Sequence, residues 1–420
     1  MADFTTLGAL IGLAIAIALI LLKVHPAYSL ILGALIGGLL GGGGLELTVN
    51  TMVSGAQSMM SSVLRILTSG ILAGTLIKTG AAEKIAEMIV TKLGEKRAIA
   101  AVAIATMIIC AVGVFVDISV ITVAPIALGI GKKAGYHKPA ILLAMIGGGK
   151  AGNIISPNPN TIAVSEAFGV DLTSAMMKNA IAAVVALIVT VIISGMLAKK
   201  SLAAVTEQDL EKRDQDKELP SFLAAISGPA VVIILLALRP IAGISVDPLI
   251  ALPVGGLICA IATGNIKKMI SFAEFGLSKV AGVSILLVGT GTIAGIIKAS
   301  ALQYDVINVL EALNMPAFIL APLSGVFMAA AAASTTAGAT IAAETFAPTL
   351  IAAGVPAVSA AAMVHAGATV LDSLPHGSFF HATGGSVNMS IKERMALIPY
   401  EACVGLTSTV VAVILYLVGM

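Results

Sequence analysis

Positions 98–131 read AIAAVAIATMIICAVGVFVDISVITVAPIALGIG, an apolar run interrupted at its middle by Asp117-Ile-Ser119. One helical crossing of a bilayer takes about 20 residues, so the run is too long for a single span. Lys78, Lys84, Lys92, Lys96 and Arg97 precede it, and Lys132, Lys133 and Lys138 follow it. Lys and Arg are retained on the cytoplasmic side, which puts both ends of the run there. It therefore reads as a re-entrant hairpin that returns to the face it entered, with its tip at 115–119.

A second run of this kind covers 316–353 and is interrupted at Ser334-Thr335-Thr336. Its flanks, 299–315 and 354–356, carry Asp305 and Glu311 but no Lys or Arg, as an extracytoplasmic surface should. The two hairpins are thus expected to enter from opposite sides. Shorter runs at 28–43, 56–77, 139–168 and 177–198, and at 221–238, 248–264, 280–298, 357–385 and 398–419, read as spans. The stretch 1–22 carries Asp3 and no basic residue ahead of its apolar part, so it reads as a retained span rather than a cleaved signal peptide. Tracing the spans puts both termini and a loop at 41–51 outside, with Lys23, Lys199, Lys200, Lys267, Lys268, Lys392 and Arg394 inside.

Composition agrees. In 420 residues, 58% are hydrophobic and 11% charged, against about 25% charged in a soluble domain, and the mean hydropathy is +1.05. This is a polytopic all-α membrane protein, because lipid offers backbone amides no partners and helices satisfy their own. A net charge of +2 gives no basic field for nucleic acid. Cys110, Cys259 and Cys403 lie in apolar runs without CxxC spacing, so neither a disulfide framework nor a metal site is expected. No GxxxxGK[ST], HExxH or GxSxG motif occurs, which argues against an ATP-driven pump, a metalloprotease or a serine hydrolase.

The halves echo each other at an offset of about 220 residues. His25-Pro26 aligns with Asp247-Pro248, Ala73-Gly74 with Ala294-Gly295, Thr122-Val-Ala-Pro125 with Thr345-Phe-Ala-Pro348, and Ser156-Pro157 with Leu374-Pro375. We divide the chain into a first repeat, 1–198, a charged cytoplasmic linker, 199–220, and a second repeat, 221–420. Each repeat holds five transmembrane helices and one re-entrant hairpin. That odd number of crossings makes the second copy inverted, and inverted repeats with helices broken at the midplane are the signature of secondary transporters.

Four interruptions converge on the midplane. The first presents Asp117 and Ser119; an intramembrane carboxylate is costly and is read as functional by default, although Asp is also a favoured helix cap. The second is Gly147-Gly-Gly-Lys150-Ala-Gly-Asn153-Ile-Ile-Ser156-Pro157-Asn158-Pro159-Asn160-Thr161, whose glycines and prolines are expected to unwind the helix. Unwinding would aim half-helix ends and Asn153, Ser156, Asn158, Asn160 and Thr161 at an anion. Lys150 is placed to pair with a substrate carboxylate or with Asp117. The third presents Ser334, Thr335 and Thr336, for coordination or for close helix packing. The fourth, Asp372-Ser373-Leu-Pro375-His376-Gly377-Ser378-Phe-Phe-His381, adds Asp372, Ser373 and Ser378, with His376 titrating near neutrality. Asp117, Asp372 and His376 are the proton-coupling candidates. Glu166 and Glu344 are expected farther from the midplane.

FVDISVITVAP, GNIISPNPNT, SGVFMAAAAASTTAGATIAAETFAP and LDSLPHGSFF, in this order and spacing, resemble the gluconate/proton symporter family of the ion transporter superfamily across nearly the whole chain. In that family the first hairpin carries a Phe-Asp pair, here Val116-Asp117; the second carries small hydroxyl residues, here Ser334 to Thr336; and the last break carries Asp-Ser-Gly, here Asp372-Ser373. The resemblance implies a substrate or coupling role for these positions. The chain departs from the pattern at 155–161, where gluconate members carry Leu-Pro-Pro-His-Pro-Gly-Pro, so the identity of the acid stays open.

The expectation is a symporter in the cytoplasmic membrane that couples a small organic acid anion to protons by alternating access, with sodium coupling as the alternative. Its partners would be the anion, the ion, the bilayer and, in a homo-oligomer, further copies of the chain. No enzyme activity, cofactor or metal is expected.

Overall fold

The computed structural model describes residues 3–198, 205, 206, 209, 218–244, 246–312, 315–375 and 377–420. Among these residues there are α-helices and short 3-10 turns and no strand; an isolated bridge joins Phe4 to Ser300. Proline begins several helices, as in Pro26–Leu40, Pro159–Ala167 and Pro248–Ala262, where its missing N–H costs nothing.

The helix order runs twice. Thr6–Leu21 and Pro26–Leu40 recur as Phe222–Ala242 and Pro248–Ala262. Ala98–Ala111, Val116–Lys133 and Lys138–Asn153 recur as Leu320–Ala332, Thr335–Ala352 and Ala357–Gly367. Pro159–Ala167, Leu172–Lys178 and Ala180–Leu197 recur as Ser378–Gly385, Ile391–Met395 and Ile398–Leu417. Packing recurs too: Ala98–Ala111 lies on Lys138–Asn153 as Leu320–Ala332 lies on Ala357–Gly367. The halves meet where Met60–Lys78 packs on Met269–Lys298, so closely that a Cβ on Gly276 would fall 1.8 Å from the Gly70 carbonyl oxygen.

Small residues face inward and large ones outward, the reverse of a soluble helix. On Ala180–Leu197 the buried side chains are Ala182, Ala183, Ala186, Thr190, Ser194 and Leu197, while Ile181, Val184, Ile188 and Ile192 form an exposed stripe. That pattern suits lipid outside and close backbone packing inside.

Several expectations need correction. The loop at 41–51 is helical from its fourth residue, within Gly44–Ser58. The helix expected to unwind from Gly147 runs on as Lys138–Asn153, and the break is confined to 154–158. Its glycines serve packing instead: a Cβ on Gly148 would lie 2.1 Å from the Ala103 carbonyl oxygen. The span at 280–298 is the C-terminal part of a 30-residue helix, Met269–Lys298. Ala81–Leu93 and Leu302–Ala312, read as flanks, are helices. Among the described residues four helices are long and apolar enough to cross a membrane: Met60–Lys78, Ala180–Leu197, Ile266–Lys298 and Ile391–Leu417. The other apolar helices run 10–17 residues. Lys199, Lys200 and most of the linker lie outside the described residues.

Candidate functional site

Both long runs form helical hairpins. Ala98–Ala111 turns into Val116–Lys133 after Phe115, and Leu320–Ala332 turns into Thr335–Ala352 after Ser334, whose hydroxyl accepts from Ala337 N at 3.2 Å. The left-handed Ala333, φ 45°, makes the second turn tight. Two further helices begin nearby: Pro159–Ala167, capped by Asn158, and Ser378–Gly385. The starts of all four helices line one cavity of about 440 Å³.

Its wall contains Asp117, Asn160, Ser334, Thr335, Thr336 and Ser378 from the expected set, with Phe115 and Phe379 as apolar walls. Asp117 Oδ1 accepts from Ile118 N at 2.9 Å, so the carboxylate occupies the first turn of its helix, bonded to the adjacent amide, and lines the cavity. Asn160 donates to Asn153 Oδ1 at 3.0 Å, while its own side-chain oxygen is buried without a partner among the described residues. Thr335 donates to Asp372 Oδ2 at 2.6 Å, behind the wall.

The other expected residues that are described do not line the cavity, and several of them hold its wall. Asn158 Oδ1 accepts from Asn160 N at 2.9 Å and Thr161 N at 3.1 Å, its amide donates to Asn153 O at 3.2 Å, and Ser156 Oγ donates to Cys110 O at 2.6 Å. This network fixes the break at 154–158 against the first hairpin. Ser119 and Thr161 are buried. Ser373 donates to Asp372 Oδ1 at 3.0 Å. Lys150 pairs neither with Asp117 nor with cavity space: its Nζ lies 2.7 Å from Asp372 Oδ1 and donates to Thr369 O at 2.7 Å. Lys150 and Asp372, both 2% exposed, form a compensated internal pair across the two halves. His376 lies outside the described residues.

Sequence reasoning missed two cavity residues with polar side chains. Lys279, nearly three turns into Met269–Lys298, lines the cavity, and its charge acts on Asp117. His25, which caps Pro26–Leu40, lies at the exposed rim. A span trimmed to 280–298 leaves Lys279 just outside; the signal was a lone cation continuing an apolar helix.

The cavity can hold a small anion. Four helix N-termini, each equivalent to about half a positive charge, converge with one ammonium, and hydroxyl and amide groups supply hydrogen bonds. Among the described residues no group of three His, Cys, Asp or Glu side chains could hold a metal ion. A second cavity is crossed by Arg65, which bridges Glu166 Oε1 at 2.5 Å and Asp247 Oδ2 at 2.6 Å, joining the first half to the second.

Residues 4–420 match the model of the family described as GntP family permease. An uncharacterised transporter of Haemophilus influenzae is 53% identical over 416 residues, 99% of each chain. The D-serine transporter DsdX of Escherichia coli is 24% identical over 352 residues, 77% of each chain. Among solved structures the YdaH transporter of Alcanivorax borkumensis is similar in fold, with a TM-score of 0.70 at 17% identity over 91% of this chain and 90% of that one.

Proposed function

The chain belongs to the GntP family of permeases, and from that premise we propose that it imports a small hydroxylated organic acid anion together with protons across the cytoplasmic membrane. One observation carries the reading: four helix N-termini, Lys279 and Asp117 share a single cavity. The N-termini and Lys279 hold the carboxylate, and Asn160, Ser334, Thr336 and Ser378 bond its hydroxyls. The relative that transports D-serine also handles a small hydroxylated carboxylate, which fits a site of this size and polarity.

Asp117 supplies the coupling. Charged, it opposes the incoming anion and offsets the field of Lys279; protonated, it removes that repulsion and leaves the charge of Lys279 to the substrate. Anion and proton then bind together. Asp372, held by Lys150, Thr335 and Ser373, is a fixed counter-charge that orients the second hairpin tip.

In this reading the two hairpins are re-entrant, the repeats are inverted, both termini are extracytoplasmic, and the cavity opens at His25 toward the cytoplasm. Arg65 with Glu166 and Asp247 seals the opposite side. Alternating access then consists of closing the first opening and releasing the second.

The test is uptake into proteoliposomes of labelled gluconate and 3-hydroxybutyrate under an inward proton gradient, with Asp117→Asn alongside. Accumulation of one acid by the wild type, lost in the variant, supports the reading. Accumulation that needs a sodium gradient instead would replace the proton by sodium, coordinated by hydroxyls and carbonyls at Ser334 to Thr336 and Asn153. Uptake that never exceeds equilibration would point to a channel.

A further inference from the structure

Glu344 lies in Thr335–Ala352, nine residues beyond the hairpin tip, on a helix that carries no other ionisable side chain. It opens on a third cavity of about 360 Å³, separate from the anion site, lined also by Thr51, Ser54, Ser58, Gly295 and Lys298. Its Oε1 is buried and has no hydrogen-bond partner among the described residues. An ionised carboxylate without a partner is expensive to bury, and such a group takes up a proton instead.

The elements packed on this helix are Pro159–Ala167, Met269–Lys298, Leu302–Ala312, Leu320–Ala332 and Ala357–Gly367. Their charged groups acting on Glu344 are Glu166 and Lys298. Asp305 is engaged by the Thr6 hydroxyl, and among the described residues no charged neighbour acts on the buried His365. Glu166 is itself held by Arg65, and Lys298 is exposed at the cavity rim. Thr51 and Lys298 belong to the ends assigned above to the extracytoplasmic surface. Glu344 thus faces the side opposite His25, between that surface and the second hairpin tip.

We propose that Glu344 loads the transported proton from the extracytoplasmic side, with the cavity between Thr51 and Lys298 as its access. Water in the open cavity delivers the proton to the carboxylate, giving a neutral carboxylic acid. Neutral Glu344 lets the helices close over it, whereas the anion holds the cavity open and hydrated. The proton leaves when the protein opens to the other side. The proposal rests on the symport reading and adds a second carboxyl, distinct from Asp117, to it.

Two measurements on purified full-length protein test it. In proteoliposomes, E344Q should lose proton-driven accumulation of the acid and retain wild-type exchange of that acid across equilibrated membranes, while E344D restores accumulation. In infrared spectra, the wild type should show a protonated carboxyl band that titrates with pH and is missing from E344Q. E344Q that accumulates acid like the wild type, or that loses exchange as well, overturns the assignment, as does an unchanged band. A wild type that accumulates no acid under a proton gradient sinks the symport reading instead, and the band still reports whether Glu344 binds a proton.

Discussion

At the scale of single residues, charge placement separates what holds the site from what acts in it. Lys150 and Asp372 are both buried and bound to each other at 2.7 Å. Removing one partner of a buried pair strands the other, at about 3–5 kcal/mol, whereas replacing both with apolar groups is often neutral. Lys150→Met should therefore lower the thermal unfolding midpoint sharply, and Lys150→Met with Asp372→Leu should recover most of the loss. Equal midpoints for the single variant and the wild type would show that the pair holds nothing. That Lys150 mattered was legible in the sequence, because a lysine amid glycines in an apolar run needs a reason. Its partner was not, since Asp372 stands more than two hundred residues away and only the packing of the halves brings them together.

At the scale of elements, the turns that break the two long apolar runs into helix pairs were legible, because apolar run length and an interruption at the middle depend on local sequence. The continuation of Lys138–Asn153 through Gly147, Gly148 and Gly149 was not. Glycine lowers helix propensity in isolation, but here it admits a neighbouring backbone, and that contact is tertiary. The linker offers a separate test. Lys138 Nζ donates to Asp209 Oδ1 at 2.6 Å and to Asn388 O at 3.3 Å, tying the linker to both halves. Burial works against the Asp209 charge, but bonds from Lys138 and Thr206 outweigh it and hold its carboxyl below the usual carboxylate range. A depressed folded value means stabilisation that is present above the unfolded pKa of about 3.9 and is lost as pH falls through the folded value. Asp209→Asn should thus be less stable than the wild type at neutral pH, with the difference in unfolding midpoint shrinking below about pH 4. A difference that stays constant across that range would contradict the bond.

At the scale of the whole molecule, two polar cavities border the two ends of Pro159–Ala167, one lined by Asn160, Asp117 and Lys279 and one by Ser165, Glu166 and Arg65. If the Arg65 bridges to Glu166 and Asp247 close the extracytoplasmic side, Arg65→Gln should favour opening there. A cysteine placed at Ser165, which is 2% exposed and lines that cavity, should then label faster from outside, with Cys403→Ser removing the exposed native thiol. Unchanged labelling would mean that the bridges are not a gate. The all-helical reading was legible from run lengths and composition, while the lining of the cavity was half legible: its hydroxyls and Asp117 stand at visible interruptions, but Lys279 continues an unbroken helix.

The claim on which the rest depends is that the convergent helix N-termini and Lys279 bind a carboxylate, and calorimetric titration of the purified protein tests it most directly. Gluconate and 3-hydroxybutyrate should each be compared with a neutral counterpart, such as glucitol for gluconate, in the wild type and in Lys279→Ala. The account predicts that one acid binds far more tightly than its neutral counterpart and that Lys279→Ala weakens it roughly tenfold or more, as loss of a charged hydrogen bond should. Acids that bind no better than their neutral counterparts, or an affinity that Lys279→Ala leaves intact, would contradict it.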